Sequence, residues 1–165
     1  MMFYKALTAA CFILTPILLG SLTGFLFRPD GHWFNKLIKP SFNPPGWLFA
    51  PVWTTLYALM GYASYRIWTL RATNEVDSAM TLYGVQLVVN MMFTPAFFGF
   101  HKLLLAAIIC TFVAVLIVCT MTVFYSIDQI ASFLLLPYLA WSSFATVLSW
   151  SIFYLNIGND DLLHC

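Results

Sequence analysis

Charged side chains are so rare and so clustered in this chain that they cut it into five apolar stretches, each long enough to cross a bilayer. The first lies between Lys5 and Arg28, and the others occupy 47–68, 79–98, 103–125 and 130–157. A membrane-spanning helix needs about 20 mostly apolar residues. Seven Lys and Arg and six Asp and Glu, 8% of the chain against 62% hydrophobic, cannot clothe a water-facing surface, since soluble domains carry about 25% charged residues. Inside lipid every backbone N–H and C=O must be satisfied within the fold, which forces such spans to be helices. The expected architecture is therefore all-α: one integral membrane domain over residues 1–165, a bundle of five transmembrane helices at 6–27, 47–68, 79–98, 103–125 and 130–157, with residues 28–46 as its first loop.

The charge pattern also excludes functions. A formal net charge of +1 with no basic run gives no handle for nucleic acid. No charged residue falls in the middle of a span, whereas ion pathways and proton relays depend on such groups. Five spans also lack the paired halves of an inverted-repeat transporter. Lys5, Arg66 and Arg71 fall on one side and Arg28, Lys36, Lys39 and Lys102 on the other, so the positive-inside rule does not choose an orientation. An odd number of crossings puts the termini on opposite sides. The first run is longer than a cleaved signal's apolar region and reads as a retained helix. Cys11, Cys110, Cys119 and Cys165 have neither C-x-x-C nor zinc spacing and read as apolar fillers, with no metal site.

Within the spans, Pro16, Pro95 and Pro137 predict kinks or locally opened turns, because proline has no N–H to donate. Gly20 and Gly24 form a G-x-x-x-G, which permits close helix contact. The stretch KPSFNPPGWLFAPVW, Lys39 to Trp53, cannot begin as helix: residues before proline avoid the α region, which biases Lys39, Asn43, Pro44 and Ala50 towards extended geometry. It reads as a stiff connector flanked by the flat faces of Trp33, Phe34, Phe42, Trp47, Phe49 and Trp53. Two readings stand. These rings form an interfacial aromatic belt, or they roof a pocket that opens between helices. Gln86 and Asn90, at i and i+4, share one helix face and need polar partners, either a neighbouring helix or a ligand. The last span interleaves Ala140, Ser142, Ser143, Ala145, Thr146 and Ser149 with Tyr138, Trp141, Phe144 and Trp150, which leaves room between aromatic walls or serves ordinary helix packing.

Three segments together resemble one family. WFNKLIKPSFNPPGWLFAPVWTTLYALMGYASYRIW (Trp33 to Trp68), GVQLVVNMMFTPAFFG (Gly84 to Gly99) and PYLAWSSFATVLSW (Pro137 to Trp150) are similar, in order and spacing, to the signature of the translocator protein family, TspO/MBR, also called the peripheral-type benzodiazepine receptor. The resemblance implies a five-helix membrane bundle, commonly a homodimer, with a pocket beneath the first loop. It implies ligands rather than a required cofactor: protoporphyrin IX and haem, sterols in some lineages, and synthetic benzodiazepine-type or isoquinoline compounds. Carried over by position, Trp47, Trp53, Asn90, Trp141, Ala145 and Leu148 would line the pocket. Lys36 and Lys39 are candidate partners for porphyrin propionates, and His32 or His101 for a haem iron. Eukaryotic members mostly occupy the mitochondrial outer membrane and bacterial ones the cell envelope.

The chain departs from the family where many members have tryptophan and it has Phe42, and where animal members have tryptophans and it has Met91, Phe93 and Leu105. The animal cholesterol-recognition pattern fails at Tyr154, which no cation follows; Leu59, Tyr62 and Arg66 match its loose form. The functional expectation is a membrane protein that binds tetrapyrroles for sequestration, regulation or transport. The alternatives are light- and oxygen-dependent porphyrin degradation involving Trp53 and Trp141, and passage of sterols or lipids. No nucleophile, acid–base pair or metal motif supports conventional catalysis.

Overall fold

The computed structural model describes residues 2–70 and 74–158. Arg71 and Cys165, which the sequence reading singles out, lie outside the described residues. Seven helices are present among those described: α1 (Met2–Leu26), α2 (Gly31–Lys36), α3 (Phe49–Thr69), α4 (Asn74–Met91), α5 (Leu103–Ile127), α6 (Gln129–Phe133) and α7 (Leu136–Leu155). A 3₁₀ turn over Gly46–Leu48 precedes α3, and a π turn over Pro95–Gly99 follows α4. α1 packs on α3, α3 on α4 and α6, and α5 lies between α4 and α7. The protein is an integral membrane bundle.

Four segments are long and apolar enough to cross a membrane: Phe3–Leu26, Glu75–Gly99, Leu103–Ile127 and Gln129–Leu155. At 21 residues α3 is long enough too, about 31 Å at 1.5 Å per residue. It is less apolar because it carries Thr54, Thr55, Tyr57, Ser64 and Arg66. Its position explains this composition. Met60, Ala63, Ser64 and Ile67 of α3 are wholly buried, so much of its surface meets protein instead of lipid, and its hydroxyls bond to carbonyls of their own helix, Thr54 to Ala50 and Thr55 to Pro51.

The prolines behave differently according to what surrounds each one. α1 runs through Pro16 without a break, contrary to an opened turn there. Pro16 leaves the Phe12 carbonyl without its helical donor. The backbone of Gly61 in α3 packs against that carbonyl so closely that a Cβ at Gly61 would stand 2.4 Å from it. At Pro95 the helix does open. The Phe100 N–H donates to the Pro95 carbonyl (2.8 Å) in the wider π register, and the chain then leaves the helix through His101 at φ 55°. The span expected at 130–157 is two helices, because Pro137, in the first turn of α7, has no N–H to continue α6. Pro51 lies in the first turn of α3, where its missing N–H is harmless; Ala50 is consequently helical, not extended as expected.

The end of the bundle away from the first loop is closed by charge. Arg66 Nε donates to Asp128 Oδ2 (2.8 Å). The other oxygen of Asp128 caps α6 by accepting from the N–H groups of Ile130 and Ala131. Arg66, the cation of the loose sterol-type match, is thus engaged within the bundle.

Candidate functional site

The first loop is folded and fastened. Asp30 caps α2 by accepting from the His32 N–H at 2.9 Å. This short helix buries Trp33, whose ring is stacked on His101 (3.9 Å between centroids) and meets the edge of Phe97 (5.7 Å). Further along, Asn156 at the end of α7 reads the loop backbone: Oδ1 accepts from the Ile38 N–H (3.0 Å) and Nδ2 donates to the Ile38 carbonyl (2.9 Å). Asn156 is completely buried, and its Nδ2 also donates to Ile152 O (2.7 Å). Between these anchors and α3, the Pro40–Asn43 turn and Pro44-Pro45 carry the chain across the top of the bundle.

Beneath this roof lies a cavity of about 500 Å³, within the range of small-molecule pockets. α1 contributes Gly20 and Gly24, the loop Asn43 and Pro44, α3 Phe49, Trp53 and Tyr57, and α4 with its π turn Asn90, Phe93 and Phe97. The far wall is Cys110 and Val113 of α5 with Ser142, Ala145, Leu148 and Ser149 of α7. No Asp, Glu, Lys, Arg or His is among the lining residues. The nearest cationic feature at the rim is Lys39, whose Nζ sits 4.2 Å above the ring of Phe34, itself a lining residue. Lys36, the last residue of α2, is exposed.

Of the expected pocket residues, Trp53, Asn90, Ala145 and Leu148 meet in the cavity wall. Trp47 does not: it stands on the outer surface, 72% exposed. Trp141 lies one layer back, against the rings of Phe49 (5.8 Å) and Phe144 (5.4 Å), with its indole N–H buried and unpartnered. His32 and His101 lie outside the lining, and His101 is occupied by Trp33. The described residues contain no group of three or more His, Cys, Asp or Glu placed to hold a metal.

The amide pair on α4 resolves into two roles. Asn90 Oδ1 accepts from the Tyr57 hydroxyl (3.0 Å) and its Nδ2 donates to the Tyr138 hydroxyl (2.8 Å), while Gln86 Nε2 also donates to the Tyr138 hydroxyl. Gln86 is buried glue between α4 and α7; Asn90 serves as glue and as cavity wall at once. Tyr57, absent from the sequence-based set, is a principal wall residue, and its i+4 spacing from Trp53 already put both rings on one face of α3. Its ring lies on Gly20, where a Cβ would come within 2.1 Å of it. Gly24 meets nothing within 4 Å. The G-x-x-x-G therefore works within one chain, admitting the Tyr57 ring at one glycine and leaving open space at the other.

A lidded, uncharged, aromatic-walled cavity within a transmembrane helical bundle defines the class of this protein. Comparison with known proteins gives the family. The TspO/MBR family profile matches residues 12–155. The chain is 39% identical over 133 residues to the Tryptophan-rich protein TspO of Chlorobaculum tepidum, covering 80% of this chain and 84% of that one. It is 37% identical over 134 residues to the Tryptophan-rich sensory protein of Cereibacter sphaeroides, covering 81% and 82%. To the Translocator protein of Sus scrofa it is 37% identical over 155 residues, covering 92% of each. The chain belongs to the TspO/MBR family.

Proposed function

We propose that this protein binds tetrapyrroles, protoporphyrin IX and haem, in the cavity under the first loop, and that it does so to sequester, regulate or move them within the membrane. The observation that carries this reading is the pairing of a charge-free aromatic interior with cations outside its mouth. A porphyrin is a broad apolar disc bearing two carboxylates. An unpaired carboxylate inside the cavity would lose its hydration without compensation, so the disc enters and the propionates remain at the rim, near Lys39 and Lys36. Trp53, edge-on to Tyr138 (6.2 Å) and beside Tyr57 (5.5 Å), supplies a flat wall for the disc.

The test is titration of the detergent-solubilised protein with protoporphyrin IX, following quenching of tryptophan emission against empty micelles. Trp53→Phe is expected to weaken binding by about tenfold, as a lost aromatic contact of roughly 0.5–1.5 kcal/mol implies. Trp141→Phe, a layer further back, should weaken it less, and Trp47→Phe not at all. Affinity no greater than that of empty micelles, or equal losses for Trp47→Phe and Trp53→Phe, would remove the reading.

A further inference from the structure

Hydroxyls on the spanning helices commonly close on a backbone carbonyl one turn back, and on α7 Ser143, Thr146 and Ser151 do so at 2.8 Å. Ser142 does not. The residue lines the cavity and is 2% exposed, yet its Oγ has no hydrogen-bond partner. A buried hydroxyl left unsatisfied costs about 1–3 kcal/mol, so its environment favours a partner arriving from outside the chain. Rotation about a single side-chain bond is enough to swing Oγ towards the cavity.

The neighbourhood limits what that partner is. Ser142, Ala145 and Ser149 stand at i, i+3 and i+7, one face of α7, and all three line the cavity. Ser149 Oγ is already occupied by the Cys110 thiol of α5 at 3.6 Å. Ala145, between the serines, leaves the space in which a flat body can reach them. Since no charged side chain lines the cavity, an ionised ligand group would be unpaired here, whereas a neutral acceptor would satisfy the hydroxyl at no such penalty.

We propose that Ser142 is a specificity-determining donor on the α7 wall, which takes an uncharged acceptor such as a carbonyl oxygen of a flat apolar ligand. This rests on the reading of the cavity as a ligand pocket and deepens it: the polar end of a neutral ligand is held at the α7 wall, and charged groups are held at the mouth.

Fluorene and fluorenone are planar tricyclics of nearly equal size that differ by one carbonyl, and they serve as probes. Their binding to the solubilised full chain is measured by equilibrium dialysis against empty micelles. The wild type is expected to prefer fluorenone by about three- to tenfold, the range one net hydrogen bond supplies. Ser142→Ala should bring that ratio to about 1 while leaving fluorene affinity and thermal stability unchanged, because the substitution removes a hydroxyl that bonds to nothing in the free protein. If both probes bind and the ratio is the same in Ser142→Ala as in the wild type, the subsite is wrong and the pocket stands. If neither probe binds the wild type above the micelle blank, both readings fall.

Discussion

At the scale of single residues, the cavity depends on contacts too close to tolerate one added methyl. Gly20 carries the Tyr57 ring against its backbone, and Tyr57 in turn donates to Asn90 at 3.0 Å. Gly20→Ala is expected to displace the ring, break that hydrogen bond and destabilise the protein by about 1–3 kcal/mol, the usual range for overpacking. Gly24→Ala, which meets open space, should leave thermal unfolding in detergent unchanged; equal effects of the two would show that Tyr57 does not rest on Gly20 as described. The two glycines are identical as sequence, each a member of one G-x-x-x-G, and only the packing of α3 distinguishes them. The same limit separates Trp47 from Trp53. Both flank the proline-rich connector, but Trp47 sits in a 3₁₀ turn facing outwards and Trp53 one turn into α3 facing the cavity. A Trp cluster at a membrane boundary does not reveal which ring turns inwards.

At the scale of elements, the helices were legible because hydropathy and charge spacing set where a chain can leave lipid. Their interruptions were only partly so. Proline announces a missing N–H, but what happens next depends on the neighbours: Pro16 is absorbed because Gly61 lies against the freed carbonyl, whereas Pro95 opens a π turn that carries Phe97 beneath Trp33. Asn156 was not singled out from the sequence at all, since an asparagine at a helix end ordinarily means no more than termination. It is instead the latch of the loop, with two hydrogen bonds to Ile38. Asn156→Ala removes both, and each is worth about 0.5–1.5 kcal/mol net. The loop is then expected to open more often, seen as faster proteolytic cleavage within residues 28–48 together with a modest fall in melting temperature. Cleavage at the wild-type rate would show that Trp33 and Leu37 hold the loop without the latch.

At the scale of the whole molecule, the fold separates two environments that a tetrapyrrole needs together. The interior is apolar and free of charge, and positive charge waits at the mouth on the loop. The far end of the bundle is shut by Arg66 and Asp128. This division explains why so few charges appear in the sequence and why those few cluster between spans. It also sets the order of events: a guest must pass the loop or slip between helices with its disc first and its carboxylates last. The measurement that tests this most directly is a structure of the protein bound to protoporphyrin IX. The expected result is the porphyrin disc under the first loop, against Trp53 and Leu148, with its propionates towards Lys39. Porphyrin found only on the lipid-facing surface, with the cavity closed by its own side chains, would contradict the account.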